Sequence, residues 1–329
     1  MTGSAIVAQA SRLLAVGRAD AAVDLVSGAA DDGDPDALYE LALWRVYGSP
    51  TPRDFAAARD LFGRAGAAGH AAGALTHAVF IAMGAGAAAD WPRALALLDT
   101  AARHDPAAAR QRELIAAMTL EADGTPASVP PLEALSGSPR IGAIRALFTP
   151  EECAHVVALS RPAMQPSVVV DSRTGRQMPH PIRTSDGTVL GPIQLDLVTH
   201  ALNLRIAAAT GTPVRRGEPL SILRYTPGQQ YRLHHDCLPG EANQRVLTLI
   251  AYLNGEYAGG ATQFPIPGID YRGEVGDAIL FANTRSDGSV DERSRHAGLP
   301  VVRGEKWIAT RWIRARDFDP WGLYAPSPV

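Results

Sequence analysis

The feature that most constrains this chain is an abrupt change of residue character near residue 120. Of the first 120 residues, 35 are alanine, the residue with the highest intrinsic helix propensity because it has no side-chain entropy to lose. After residue 140 the β-branched residues, glycine and proline rise. Alternating runs then appear at PLSILRY (219–225), VLTLIAYLN (246–254), DAILFAN (277–283) and KWIATRWI (306–313). These have the length and composition of strands. Between the halves, ADGTPASVPPLEALSGSPR (122–140) carries four prolines and reads as a connector. The expectation is an α+β multidomain chain: an all-α domain over 1–121, a linker over 122–138 and a β-rich domain over 139–329.

Composition narrows the function classes. A hydrophobic content of 46% can fill a core, and 20% charged residues is too few for a disordered chain. A formal charge of −3 offers no basic field for nucleic acid. Two cysteines, Cys153 and Cys237, exclude a disulfide framework and a cysteine-based zinc site. No signal-peptide pattern opens the chain, and no apolar run approaches roughly 18 residues. The reading is a soluble protein of the reducing cytoplasm, with no membrane partner. Of the 31 basic residues, 30 are arginine and one is lysine, Lys306. That lysine either survived by accident or supplies an ammonium that guanidinium cannot replace.

The α half repeats itself. An offset of 36 residues lays DLFGRAGAAGH (60–70) on ALLDTAARHDP (96–106) and DPDALYELALWRVYG (34–48) on HAAGALTHAVFIAMG (70–84), with Gly48 over Gly84. Helix–turn–helix units of this period stack into solenoids because one unit cannot bury its apolar face alone. The stretch resembles Sel1-like and tetratricopeptide repeats, with two and a half to three units. His70, His77 and His104 fall at repeat positions and read as structural. A solenoid's concave face suits a peptide or protein partner. The competing role for the repeats is formation of a homodimer.

Chemistry concentrates in SILRYTPGQQYRLHHDCLPG (221–240). His234 and Asp236 form an H-x-D pair, and on an extended strand such residues share a face and can converge on one metal. His296, in SRHAGLPVVRGEKW (294–307), offers a third ligand. Two histidines and one carboxylate on one face leave cis positions open, the pattern of non-haem Fe(II) oxygenases. His235 should point away from that pair. Downstream, PVV (300–302), RGE (303–305) and KWIATRWI read as strand, tight turn and returning strand. Lys306, Ile308, Thr310 and Trp312 then share one face, and Lys306 can reach the same pocket. Buried there, its ammonium needs an anion, which a dicarboxylate chelating the metal at its other end would supply.

Residues 138–315 resemble the catalytic domain of the prolyl 4-hydroxylase family of 2-oxoglutarate- and Fe(II)-dependent dioxygenases. The likeness is carried by PRIGAIRALFTPEEC (139–153), RTSDG (183–187), RYTPGQQYRLHHD (224–236), GGATQFP (259–265) and SRHAGLPVVRGEKW. It implies a double-stranded β-helix, or jelly roll, with His234, Asp236 and His296 as iron ligands. It further implies that Lys306 pairs with the distal carboxylate of 2-oxoglutarate and that Tyr225 hydrogen-bonds the co-substrate. Dioxygen would be consumed, with ascorbate as an accessory, and 2-oxoglutarate would be decarboxylated to succinate. The presence of Asp236 favours hydroxylation over halogenation, since related halogenases lack that carboxylate.

The resemblance also places Arg245 near a peptide groove, although a structural ion pair is an equal reading. Tyr252 and Trp312 are candidates for the pocket wall or the core. Gly259 and Gly260 suit a turn with close backbone approach. Segment 165–190 corresponds to a mobile loop that closes over peptide. Taken together, the chain reads as a hydroxylase of a peptide or protein side chain, with prolyl 4-hydroxylation the foremost reaction. The rivals are hydroxylation of a free amino acid, of another peptide side chain or of a small metabolite, and an interaction protein with an inactive oxygenase domain.

Overall fold

A computed structural model describes residues 3–170, 177–179 and 182–321. The chain divides into two compact units. Of the described residues, one comprises those within 1–125, 195–201 and 319–329, the other those within 126–194 and 202–318.

The first unit holds seven helices among the described residues: α1 Gly3–Ala15, α2 Ala19–Asp31, α3 Pro35–Tyr47, α4 Phe55–Ala67, α5 Ala71–Met83, α6 Trp91–Ala101 and α7 Pro106–Ala117. The repeat seen in the sequence is a repeat of helix boundaries. Asp54 and Asp90, 36 residues apart, each cap the next helix by accepting from the third backbone N–H, at Ala57 and Arg93. Asp34 and His70 do the same one helix earlier, toward Ala37 and Gly73. Gly48 and Gly84 end α3 and α5 with φ of 76° and 73°, the left-handed region where a Cβ is unwelcome. Small residues let neighbouring helices approach closely: a Cβ on Gly66 of α4 would lie 2.8 Å from Ala74 Cα of α5. The core of the unit is an aromatic chain of Tyr39, Phe62, Phe80 and Trp321, with ring centroids 5.0–5.4 Å apart.

The second unit is built on strands: β1 Leu132–Gly137, β2 Arg140–Ile144, β3 Gln165–Pro166, β4 Val168–Val170, β5 Gln177–Pro179, β6 Asp186–Leu190, β7 Leu220–Tyr225, β8 Tyr231–His234, β9 Arg245–Tyr252, β10 Tyr257–Gly259, β11 Thr262–Phe264, β12 Ile269–Tyr271, β13 Ala278–Ala282, β14 His296–Gly298, β15 Val301–Gly304 and β16 Lys306–Arg314. Helices α8 Pro150–Ser160 and α9 Leu197–Thr210 interrupt the series. A capping box between Thr149 and Glu152 starts α8, and Arg205 clamps the Glu152 carboxylate with both terminal nitrogens. The major sheet runs β1-β2-β13-β9-β16-β7-β6-β3 and the minor sheet β12-β11-β14-β8, all antiparallel. Side chains from both, among them Ile141, Leu223, Ile250, Phe264, Tyr271, Phe281 and Ile308, form one buried cluster. This is the double-stranded β-helix that the resemblance implies.

Three local expectations change. The stretch read as linker contains β1, which pairs with β2 as the outer strand of the major sheet. Its six residues are nearly all exposed, so no apolar alternation marked it. Within 165–190, β6 is a strand paired with β7 rather than loop, whereas 171–176 and 180–181 lie outside the described residues. Finally, β15 and β16 are not a hairpin. Strand β15 pairs with β10, and β16 lies between β9 and β7. The turn at Gly304, φ 77°, carries the chain from one sheet to another.

Candidate metal centre

Antiparallel register, more than sequence proximity, assembles the site. Strands β8 and β14 pair so that His234 stands opposite His296, and the two imidazole centroids are 4.3 Å apart. Asp236 lies just beyond the end of β8 rather than within it, yet the chain bends so that its carboxylate faces both rings. Asp236 Oδ1 is 3.5 Å from His234 Nε2, and Oδ2 is 3.7 Å from His296 Nε2. Ligand atoms from all three buried residues lie within 4.8 Å of one another, the one such group among the described residues. His235 points away, as expected, toward Glu292 at 3.1 Å.

Hydrogen bonding fixes which atoms are free. His234 Nδ1 is 2.8 Å from the Arg232 carbonyl, and His296 Nδ1 is 3.0 Å from the Ser294 carbonyl. A carbonyl only accepts, so each Nδ1 carries the proton and each Nε2 presents a bare lone pair. Two lone pairs and a carboxylate thus converge, and a cation among them relieves their mutual repulsion. Two imidazoles and one carboxylate suit a first-row divalent metal such as iron. Burial would push the Asp236 pKa up, but the two histidines and the Thr248 hydroxyl, which donates to Oδ2 at 2.6 Å, hold it well below the usual carboxylate range. Burial pushes His296 down to about 4, which leaves it neutral and able to ligate. Tyr231 stacks on His234 at 3.5 Å, and Phe264 and Phe281 flank His296, so each ring is held by packing as well as by its hydrogen bond.

Lys306 opens β16 opposite Tyr225 of β7. Its side-chain face continues through Ile308, Thr310 and Trp312. All four line one pocket with His234, Asp236, His296, Leu223, Ile250 and Thr262, as the alternation predicts. Lys306 is 2% exposed, and burial, with Arg272 nearby, pushes its pKa down to about 7. Its Nζ donates to the Gly260 carbonyl at 2.6 Å, and no carboxylate of the chain pairs with it among the described residues. Tyr225 is buried beside it. Burial raises its hydroxyl pKa despite a hydrogen bond with Ser185. The pocket therefore has a metal-binding end and a cationic end, joined by the apolar walls of Leu223, Ile250 and Ile308.

The remaining candidates separate. Trp312 lines the pocket. Arg245 forms a bidentate pair with Glu218 at 2.6 and 2.7 Å, and its guanidinium lies 3.9 Å over the Trp312 ring. Tyr252 does not reach the lining. It is fully buried, with its hydroxyl 2.7 Å from Thr262 Oγ1. Sequence reasoning missed Thr248, which shares the inward face of β9 with Ile250 and could have been found by alternation. It also missed Asn283, whose amide donates to Thr248 Oγ1 at 2.8 Å, and Glu218. Neither carries a local signal, because their partners are 35 and 27 residues away.

Residues 220–314 match the family model described as the 2OG-Fe(II) oxygenase superfamily. A prolyl 4-hydroxylase 1 of Arabidopsis thaliana is 37% identical over 203 residues, covering 56% of this chain and 72% of the relative. Among solved structures, the viral collagen prolyl hydroxylase of Paramecium Bursaria Chlorella virus-1, a 2OG complex, is 25% identical with a TM-score of 0.44. That likeness covers 54% of this chain and 96% of the other. A Sel1 repeat protein from Oxalobacter formigenes is 22% identical with a TM-score of 0.31, over 34% of this chain and 87% of the other.

Proposed function

The chain belongs to the prolyl 4-hydroxylase family of 2-oxoglutarate- and Fe(II)-dependent dioxygenases, and from that premise we propose that it hydroxylates prolyl residues of a peptide or protein. The observation that carries the reading is the convergence of the His234, Asp236 and His296 ligand atoms and of Lys306 on one buried pocket. Iron bound there supplies the oxygen chemistry that couples decarboxylation of 2-oxoglutarate to hydroxylation of a C–H bond.

The chain's own part is to hold, orient and exclude water. His234, Asp236 and His296 hold the metal, with Thr248 and the two backbone carbonyls fixing which ligand atoms face it. Lys306 and Tyr225 take the far carboxylate of 2-oxoglutarate. An ammonium whose pKa burial has pushed down to about 7 gains most from an anion that restores its charge. Leu223, Ile250 and Ile308 keep the space between dry. On the substrate side, Trp312 with the Arg245 guanidinium above it offers a flat apolar surface to a peptide, and Glu218 holds Arg245 in place.

Kinship with enzymes named as prolyl 4-hydroxylases supports proline as the target. The helical repeats over 1–121 act as a platform for a macromolecular substrate, and ascorbate serves as an accessory reductant. No helix is long and apolar enough to cross a membrane among the described residues, and action in the cytoplasm is part of the same proposal. The test is succinate formation with proline-containing peptides against free amino acids, followed by mass spectrometry of the peptide. Gain of one oxygen atom on a proline is expected. Turnover supported only by free amino acids or small metabolites would overturn the peptide reading, and no succinate with any substrate would favour an inactive oxygenase domain.

A further inference from the structure

We infer that Gly260 is a positioning residue for 2-oxoglutarate: its carbonyl, turned inward by two consecutive left-handed glycines, aims the Lys306 ammonium at the co-substrate. The inference rests on the reading of Lys306 as the co-substrate anchor and adds how that anchor is held.

Lys306 is a flexible four-carbon stem in a pocket with no carboxylate partner of its own. Left unaided, its ammonium would choose among rotamers, and each choice costs side-chain entropy when the ligand arrives. The chain resolves this with a backbone group. Gly259 and Gly260 have φ of 74° and 66°, which L side chains adopt only with strain. That double reversal brings Gly260 N to the Pro300 carbonyl at 2.9 Å and turns Gly260 O onto Lys306 Nζ at 2.6 Å. A Cβ on Gly260 would stand 3.1 Å from Lys306 Cδ and 3.2 Å from Val301 Cγ2, so the missing side chain is also the space in which the lysine stem lies. The faces of Tyr225 and Tyr252 stand 5.8 and 5.3 Å from Nζ and favour a cation there. One of the three ammonium donors is spent on Gly260. Two remain for a carboxylate, which is the number a bidentate contact requires.

Gly259 is different in kind. A Cβ there would meet the Pro300 carbonyl at 2.5 Å and the Val302 backbone nitrogen at 3.0 Å. It faces the β10–β15 ladder and not the lysine, so it shapes the turn without touching the anchor.

The single lysine makes the test unusually clean, because 15N-lysine labelling of the full chain gives one side-chain signal. In the metal-free chain without 2-oxoglutarate, the Lys306 ammonium protons should exchange with water more slowly than those of free lysine. Gly260→Ala should speed that exchange and raise the KM for 2-oxoglutarate about tenfold or more, because a methyl 3.1 Å from Lys306 Cδ displaces the stem and releases the ammonium from the carbonyl that aims it. The kcat at saturating 2-oxoglutarate and the peptide KM should stay within about twofold. In a Lys306→Met background the same glycine substitution should change 2-oxoglutarate affinity no further, since the two residues act as one unit. Equal effects of Gly260→Ala with and without the lysine would overturn the inference. Free-lysine exchange rates in the unsubstituted chain would overturn it even if Gly260→Ala does not fold. A Lys306→Met variant with unchanged 2-oxoglutarate KM would instead overturn the anchor reading beneath it, an outcome the ammonium signal alone cannot mimic.

Discussion

The caps that define the helices of one unit and the bonds that build the site of the other close over different distances, and that difference bears on what each can do. In the helical unit the polar bonds that define the elements are local: Asp34 to Ala37, Asp54 to Ala57, Asp90 to Arg93 and Asp105 to Ala107 all close within three residues. In the β unit the bonds around the site are remote. Thr248 reaches Asp236 across 12 residues, Asn283 reaches Thr248 across 35 and Lys306 reaches Gly260 across 46. Local bonds give a modular array whose stability is close to a sum of parts. Remote bonds give a single cooperative centre in which each group depends on the register of several strands.

The largest effect should come from the centre of the cooperative network. Asp236→Ala removes a proposed ligand and also the acceptor of Thr248, so turnover measured as succinate should fall by about a thousandfold or more, with iron binding lost. Loss of a carboxylate whose pKa the fold holds low, and of the acceptor for the buried Thr248 hydroxyl, should at the same time lower the thermal transition of the metal-free chain. Iron affinity and turnover that survive this substitution would break the ligand set. Thr248→Val offers the graded version, with iron affinity weakened about tenfold because the carboxylate loses the hydroxyl that orients it.

Next in size is a core substitution in the modular unit. Phe62 is fully buried between Tyr39 and Phe80, and Phe62→Ala should cost about 3–5 kcal/mol of stability. Denaturant unfolding followed by circular dichroism should show the loss in the helical signal. Turnover of a short peptide under conditions where the chain stays folded should remain close to that of the parent. Loss of turnover in step with helicity would break the contrast between the two regions.

These outcomes also separate what the sequence discloses from what it hides. The repeat was legible because its caps recur at fixed spacing: Asp54 and Asp90, and Gly48 and Gly84, are the same device written twice. The inward face of β16 was legible because a strand has a period of two, and Lys306, Ile308, Thr310 and Trp312 line the pocket as that period requires. The proposed metal ligands needed a family resemblance, since an H-x-D pair is common and His296 is joined to His234 only by the β8–β14 register. Strand β1 was hidden because both its faces are exposed and its composition is that of a loop. Tyr252 stayed open between pocket wall and core, because an aromatic on an inward strand serves both equally well until its hydroxyl finds Thr262.

Lys306→Arg ranks third. A planar guanidinium overfills a pocket shaped for a compact ammonium on a stem that Gly260 and two tyrosines enclose, so the KM for 2-oxoglutarate should rise about tenfold or more with the fold intact. Turnover at parent levels would mean that the lone lysine is an accident of composition. The pH dependence sharpens the point. Because folding lowers the Lys306 pKa to about 7 from 10.5, the unfolded chain binds the extra proton between those values. The stability lost by burying the ammonium is therefore regained as pH rises from about 7 toward 10.5. Binding of 2-oxoglutarate favours the charged form, so it should take up a proton above pH 7, and its affinity should fall as pH rises through that window. The groups facing Nζ are Tyr225, Tyr252 and Arg272, and none of them changes charge near pH 7 to 8. Calorimetric titration in two buffers of different ionisation enthalpy measures the uptake. No proton uptake, or affinity rising with pH, would mean that the ammonium does not meet the anion.

The smallest effect tests modularity itself. Asp54→Ala and Asp90→Ala each remove one helix cap in adjacent repeats, and each should cost about 1 kcal/mol. Because the two caps share no partner, the double variant should cost the sum to within about 0.5 kcal/mol. The same design applied to Thr248→Val and Asn283→Ala, which share a hydrogen bond, should depart from additivity, since either single change already breaks the link. Denaturation midpoints at constant slope measure both cycles. Additive loss in the helical unit with non-additive loss in the β unit is what short-range and long-range bonding require. Coupling between the two aspartates would show that the repeats transmit strain along the array, and the contrast between a modular unit and a cooperative one would then fail.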